Sequence, residues 1–400
     1  MGKSTFFTGQ PVFSQLLNVI PANLFEKVSS THQANHYCKK FMARDHVISM
    51  LYACFFQCTS IRELVTGLQA NSSRLEHLGL KHTPRRSTLA DANVRRNPEF
   101  FSDLYQELFK RYFLPDSRGC EDRLFIIDST TISLFSSVMK GAGTSKSNGK
   151  KKGGLKAHMM IDSEHDVPAF VRLTEAKHND LVFMQKLHVP ENSTVVFDMG
   201  YTRYATYKEW GERGIKWVTR QKSDASVEEI EQYQLSEFST DHGVVKDEKI
   251  KLGRTSNSHV TPVIEVRRIT FRDKLKNRNF LFITNDFERS PEAIADLYKK
   301  RWQIELLFKR IKQRYPLKYF LGDNANAIQI QVWCALLCDL LVRIIQNIAN
   351  QKRKRKWAYS SIFGMIKHHL MTYINLIEFL KNPERALIKY KPPPKQLYLF

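Results

Sequence analysis

Two short apolar runs that each close on an aspartate constrain the fold of this chain more than any other feature. Leu124–Ile127 in "EDRLFIIDSTTISL" ends at Asp128, and the run in "STVVFDMGY" ends at Asp198. Short apolar runs without polar alternation read as strands covered on both faces. Two such strands lying adjacent and parallel would bring their terminal acids together, and a helix packed on the same sheet could supply a third. A single Asp at a strand end is ordinary turn chemistry. The pair gains meaning from a lone acid in a basic helix about a hundred residues further on.

The text around these runs supports a mixed α/β organisation. "LKAHMMID" and "VPAFVRLTEA" read as strands joined by the turn "SEHD", "TRYATYKEWGERG" as a helix and "IKWVTR" as a strand. From about 221 to 286 the periodicity is mostly two, with "PVIEVRRITF" and "NFLFITND" as clear strands, so a β-rich insertion is expected there. Residues 1–115 read as helical. Ser60 and Glu63 form a capping box ahead of "IRELVTGLQ", and two helical segments break at Pro98. A further helix runs through "SPEAIADLYKKRWQIELLFKRIKQRY", with Ser290 as cap and Pro291 in its first position. Residues 341–400 read as a helical region ending in the tail "KYKPPPKQLYLF".

Within the helix that begins at Ser290, "YKKRWQIELLFKRIK" (298–312) holds one acid, Glu305, among Lys299, Lys300, Arg301, Lys309, Arg310 and Lys312. At about 100° per residue, Tyr298, Arg301, Trp302, Glu305, Lys309 and Lys312 share one arc, and Leu297, Ile304, Leu307, Phe308 and Ile311 share the next. One stripe is built for a core, and its neighbour presents aromatics, cations and one carboxylate. Glu305 could be an i,i+4 ion-pair partner of Lys309 or Arg301, worth about 0.2–0.5 kcal/mol. That reading leaves the two strand-end aspartates unexplained. Three converging carboxylates form a hard-oxygen site suited to Mg2+ or Mn2+. Two such ions about 3.5–4 Å apart would activate a hydroxyl and stabilise a leaving oxygen in phosphoryl transfer.

Charge indicates the partner. The formal net charge is +22 over 400 residues, which favours a polyanion. A membrane is disfavoured: the most apolar stretch, Ala327–Ala349, carries Asp339 and Arg343 near its middle and reads as a largely buried helix. The N-terminus has no secretory run, and Phe6 stands where a myristoylation signal needs Ser or Thr. Six cysteines without a C-x-x-C pair read as buried reduced thiols, hence a cytoplasmic protein. The Gly/Ser/Lys-rich stretch "SVMKGAGTSKSNGKKKGG" reads as a mobile basic loop and has the wrong spacing for a phosphate-binding P-loop. In the N-terminal region Arg85, Arg86, Arg95 and Arg96 flank "STLADAN". That pattern fits a DNA-binding module or, alternatively, an ordinary helical domain with a basic surface.

Tyr298, Arg301, Glu305 and Lys312, in that spacing, resemble the Y-R-E-K signature of the insertion-sequence-four family of bacterial DDE transposases. "LFIIDSTTI" and "VVFDMGY" resemble the family's first and second Asp motifs, and "KKGGLKAHMMID" and "KHND" also sit where the family carries similar text. The resemblance implies an α/β ribonuclease-H-like catalytic core at 120–340 with a β-rich insertion, flanked by helical N- and C-terminal regions. It implies that Asp128, Asp198 and Glu305 hold Mg2+ or Mn2+, with two ions expected. It implies that Tyr298, Arg301 and Lys312 contact the phosphates of terminal inverted-repeat DNA, with Trp302 and Lys309 beside them. Lys156 and His158 are either structural or DNA contacts. The resemblance further implies a homodimer acting on transposon ends and target DNA, with a hairpin intermediate for which Trp302 or Trp217 could stack a displaced base. The rivals are a ribonuclease-H-like nuclease without strand transfer and a non-catalytic DNA-binding protein.

Overall fold

The computed structural model describes residues 9–114, 123–133, 144–147, 150–175, 183–185, 187–254, 261–274, 277–351 and 353–384; for 144–147, 150–153, 254 and 261 it describes the backbone alone. "KHND" and the tail lie outside these residues, as do 137–143 and 148–149 of the Gly/Ser/Lys-rich stretch; the rest of that stretch, expected as a mobile loop, is instead paired as strand at 144–147 and 150–154, because the backbone there closes an antiparallel ladder. Two compact units result. One is residues 113–313; the other joins 1–112 with 314–400. The boundary expected at 340/341 falls inside a helix of the second unit, because the most apolar helix of the chain packs there.

The first unit is built on a ten-stranded sheet. Its core strands are β1 (Leu124–Ser133), β3 (Lys150–Asp162), β4 (Val167–Glu175), β5 (Thr194–Phe197) and β6 (Lys216–Arg220); the short β2 (Thr144–Ser147) pairs with β3. β4, β3 and β1 run antiparallel to one another, whereas β1, β5 and β6 are parallel. The sheet therefore has the ribonuclease-H-like order β4-β3-β1-β5-β6. The β5-to-β6 connection is α7 (Tyr204–Glu212), the crossover that parallel neighbours require. Tyr207 and Trp210 of α7 pack on Phe197 and Trp217. Val195, Val196 and Phe197 of β5 are all fully buried, each apolar side chain contributing about 1.5–3 kcal/mol of burial.

The expected insertion is present as β7 (Val227–Gln232), α8 (Glu237–Asp241), β8 (Val244–Arg254), β9 (Thr261–Asp273) and β10 (Arg278–Thr284). It extends the core sheet: β10 pairs antiparallel with β6, and β9, β8 and β7 follow outward. A bidentate Arg267–Asp247 pair is buried between β8 and β9, with Arg267 also donating to the Arg289 and Asp286 carbonyls.

The long helix expected from Ser290 onward is broken in two. α9 spans Pro291–Lys299 and α10 spans Trp302–Arg314. Between them the backbone closes i→i+3 bonds, Arg301 N to Tyr298 O at 3.0 Å and Gln303 N to Lys300 O at 2.9 Å. Helix propensity is continuous through "YKKRWQ", so no sequence signal marks the joint. Ser290 occupies the cap position but its side chain makes no capping bond.

The helical unit contains α1 (Val12–Leu17), α2 (Ala22–Thr31), α3 (Ala43–Phe56), α4 (Ile61–Ala70), α5 (Arg86–Arg95), α6 (Pro98–Phe113), α11 (Ala325–Asn350), α12 (Tyr359–His369) and α13 (Leu376–Lys381). Ser60 Oγ accepts from Glu63 N at 3.1 Å as expected, while Glu63 reaches back to Thr59 N at 2.7 Å. α3 and α11 are apolar almost all round and form the centre of the unit. α11 is the stretch long enough to span a membrane, and 89% of its most apolar window is buried in the protein. Asp339 of α11 accepts from Tyr359 Oη at 2.7 Å, and Arg343 lies 4.7 Å over the Tyr359 ring.

His46 of α3 is fully buried, with Nε2 2.8 Å from Asn93 Oδ1. Burial, and then the nearby Arg96, push its pKa from the usual 6.5 down to about 3. Below pH 6.5 the unfolded chain takes up a proton that the folded chain refuses until about pH 3, so stability is lost as pH falls through this window. The slope from this one group should approach about 1.4 kcal/mol per pH unit. Urea midpoints of the helical unit between pH 7 and 4.5 should fall accordingly, and His46→Gln should flatten the dependence. An unchanged slope in that variant would remove His46 as the cause.

Candidate active site

The parallel register of β1 and β5 pairs Ile127 with Phe197, so Asp128 and Asp198 follow side by side; Asp198 closes β5 as expected, whereas Asp128 lies mid-strand, because β1 continues to Ser133 through its pairing with β3. Alternation along each strand turns Phe125, Ile127, Val195 and Phe197 into one core. Val196 belongs to the opposite face, which α9 covers through Ile294 and Ala295. Asp198, two residues beyond Val196, is presented on that α9 face, and Asp128 is its neighbour. Tyr298, near the end of α9, packs 4.8 Å from Phe282 and reaches Asp198 Oδ1 with its hydroxyl at 3.3 Å.

Arg301, in the joint between the two helices, bridges two of the acids. Its Nη1 donates to Asp128 Oδ2 at 2.7 Å and its Nη2 to Glu305 Oε1 at 2.9 Å. Glu305 in the first turn of α10 thus makes the i,i+4 pair with Arg301, while Lys309 stays exposed. α10 is fastened to the sheet elsewhere. Ser163 donates to Gln303 Oε1 at 2.6 Å, and Arg310 pairs with Asp166 in the β3–β4 turn. Lys312 Nζ donates to Thr130 Oγ1 at 2.6 Å and to Thr131 O at 2.9 Å, which fixes α10 to β1 just beyond Asp128.

Arg220, at the end of β6, donates through Nη2 to Asp198 Oδ1 at 3.2 Å and lies 6.0 Å from the centre of the Tyr298 ring. Sequence reasoning did not single it out. The available signal was a cation closing the third parallel strand, but its relevance depends on a register that only the sheet reveals: Val196 opposite Val218.

The electrostatics tie the three acids together. Burial raises the Asp128 carboxyl to about 6. The Ser129 amide and Arg301 oppose this, and the negative charges of Asp198 and Glu305 reinforce it. Burial likewise raises the Tyr298 hydroxyl to about 12, so it stays protonated and donates. An all-oxygen donor set of three acids, one of them buried so that its charged form is disfavoured, fits a hard divalent cation. As placed, however, Arg301 joins Asp128 to Glu305 while Arg220 holds Asp198 apart from them, and among the described residues no group of three ligating side chains stands close enough to hold an ion.

The remaining candidates divide between surface and core. Trp302 is 60% exposed at the start of α10. Trp217 is buried and stacked 4.3 Å from Tyr207, so it cannot receive a displaced base; it closes the hydrophobic core instead. His158 is buried, stacked 5.0 Å from Phe183 and bonded to Thr174 Oγ1 at 3.0 Å, which makes it structural. Lys156 lies on β3 opposite Thr131. In the helical unit Arg85 and Arg86 are exposed, and Arg95 pairs with Asp91 at 2.7 Å. Arg96 departs from its expected role as a surface DNA contact. Its guanidinium turns inward, donating to Phe41 O at 2.7 Å, and so braces the segment before α3.

The transposase DDE-domain profile matches residues 119–341, the whole of the sheet and the helix carrying Glu305. The chain belongs to the DDE transposase family. It is a DNA transposase, an enzyme that acts on DNA by cleavage and strand transfer. The y4zB protein of Sinorhizobium fredii, named as a transposase, is 34% identical over 66% of this chain and 73% of its own length. The transposase named for insertion element IS4SA of Synechocystis is 26% identical over 65% of this chain and 71% of its own. InsG of the element IS4 from Escherichia coli is 26% identical over 46% and 42%. A solved piggyBac transposase chain, from a synaptic complex with hairpin DNA, aligns over 96% of this chain and 81% of its own at 11% identity with a TM-score of 0.47, a likeness only. Residues 8–81 match a domain of unknown function, DUF4372. Members of the transposase family generally use divalent metal ions.

Proposed function

We propose that this transposase excises and inserts its own insertion sequence in the bacterial cytoplasm, at the nucleoid, through metal-dependent phosphoryl transfer at Asp128, Asp198 and Glu305. The observation that carries the reading is the placing of these acids by β1, β5 and α10 around one cluster, where Arg301 bridges Asp128 and Glu305 and Tyr298 and Arg220 hold Asp198 on the strand beside Asp128. Two Mg2+ or Mn2+ ions held by the three carboxylates would supply an activated hydroxyl and a stabilised leaving oxygen. The chain's own residues do the rest. Tyr298 and Arg220 hold Asp198 in orientation. Lys312 pins the strand that carries Asp128. Arg301, Lys309 and Tyr298 form a cationic and hydrogen-bonding rim suited to a phosphodiester backbone. Water and then a DNA hydroxyl serve as nucleophiles, so no covalent protein–DNA bond is formed and Tyr298 is not a nucleophile.

The substrates in this reading are terminal inverted-repeat DNA and target DNA, brought together by a homodimer. Release through a hairpin would need an aromatic surface for a displaced base, worth about 1–3 kcal/mol, and Trp302 is exposed beside Arg301. The test is incubation of the full chain with a labelled duplex carrying the element's own terminus, a plasmid target and Mg2+. The expected products are a nick at the element end, then a hairpin, then a joined molecule, all abolished by EDTA. Nicking without joining would favour the nuclease reading, and binding without nicking the non-catalytic one.

A further inference from the structure

The domain of unknown function contributes an unassigned cleft to the helical unit. Two adjoining cavities, of about 680 and about 670 Å3, share Lys39, Lys40, Phe41 and Thr88 as lining. Lys39, Lys40, Lys81 and Arg85 are all exposed along them, and none has a carboxylate partner among the described residues. The two acids in the lining are already engaged. Asp45 accepts from Met42 N at 2.8 Å, and Asp91 pairs with Arg95.

The loop between α2 and α3 forms one wall, and it is braced. Asn35 Oδ1 accepts from Ala43 N at 2.7 Å, and the buried Arg96 guanidinium holds Phe41 O and Cys38 Sγ. Arg96 lines the first cavity, and its Nη1 is buried without a hydrogen-bond partner. At the loop's tip Tyr37 is 93% exposed and sits at φ 56°, with its ring 3.8 Å from that of His36. A bulky residue in left-handed backbone is costly, and a ring this exposed recovers little beyond its contact with His36. Unpaired cations, an orphaned buried guanidinium nitrogen and a strained aromatic tip therefore occupy one cleft.

We propose that this cleft is a second DNA site, distinct from the catalytic rim. Lys39, Lys40, Lys81 and Arg85 track the phosphodiester backbone of a duplex, and the Tyr37–His36 pair stacks against a base step to distinguish the element's end from other DNA. The cation role rests on the chain acting on DNA. The discriminating role rests on the proposed recognition of terminal repeats.

Fluorescence anisotropy of the full chain with two labelled duplexes tests both parts: the element's own terminus, and a scrambled sequence of equal length and composition. Lys39→Ala/Lys40→Ala/Lys81→Ala/Arg85→Ala should weaken both duplexes by about 100-fold and lower the log–log salt slope by about 3–4. Lys27→Ala/Lys110→Ala, on the same unit, should leave the slope at the wild-type value. Tyr37→Gly removes the ring and relieves the positive φ, so its thermal midpoint should not fall. Its preference for the end over the scrambled duplex should nonetheless drop about tenfold. A wild-type slope in the quadruple variant, or undiminished preference in Tyr37→Gly, overturns the assignment. If the wild-type chain itself shows no preference, terminal-repeat recognition fails and the stacking role with it, while the quadruple variant still decides whether the cleft holds DNA.

Discussion

Asp128→Asn, Asp198→Asn and Glu305→Gln will each lower Mg2+-dependent end cleavage by at least about 1000-fold while changing affinity for end DNA by less than about threefold. The amides keep size and hydrogen-bonding capacity but lose the charge that a divalent ion requires. Magnitude separates this from the structural alternative. Glu305 is 40% exposed in its i,i+4 pair with Arg301, and such a pair is worth about 0.2–0.5 kcal/mol, or roughly a factor of two. Denaturing gels would resolve the nicked strand and anisotropy the binding. Retention of more than a tenth of the cleavage rate by Glu305→Gln would leave Glu305 as an ion-pair partner only.

Arg301→Ala should move two readouts in opposite directions. The guanidinium now takes one oxygen of Asp128 and one of Glu305. The more buried bond to Asp128 is worth about 1.5–3 kcal/mol and the exposed pair with Glu305 about 0.2–0.5 kcal/mol, so removing both frees carboxylate oxygens that a cation can use. Mn2+ affinity of the DNA-free chain, read by electron paramagnetic resonance, should rise about tenfold. Cleavage should fall about 100-fold or more, with hairpin product reduced more than first-strand nicking, because the phosphate contact is lost. A joint fall of metal affinity and cleavage would mean that Arg301 organises the carboxylates instead of competing for them.

Much of this arrangement was legible in the sequence. Asp128 and Asp198 drew attention only as a pair, since one acid closing an apolar run is ordinary turn chemistry, and Glu305 because it stood alone among cations. The insertion was visible through its period of two. What escaped has physical reasons. Arg220 matters only through the register that sets β6 beside β5. Arg96 reads as surface charge because sequence does not say whether a guanidinium turns inward to a carbonyl. Trp217 stands near the start of β6, where an aromatic could be exposed, yet its neighbours on α7 bury it. The joint at Lys300–Arg301 has no glycine or proline to announce it. Periodicity marked α11 as buried but not against which partner; that partner is α3, far earlier in the chain.

The discontinuity of the helical unit has a consequence for synthesis. Residues 113–313 form one uninterrupted unit, whereas the helices on either side of it complete each other. Tyr105 of α6 packs with its ring 5.8 Å from that of Trp333 of α11, and Gln15 of α1 donates to the carbonyl of Ile374 at 2.6 Å. On the ribosome the catalytic sheet can close before the helices that precede it have found their partners. A nascent chain halted near residue 313 would carry Asp128, Asp198 and Glu305 on a closed sheet while its N-terminal helices remained open. Excising residues 1–115 from the mature protein would leave α11 without α3. The proposed DNA capture by the helical unit would therefore be a late property of the polypeptide, acquired when translation has passed α13.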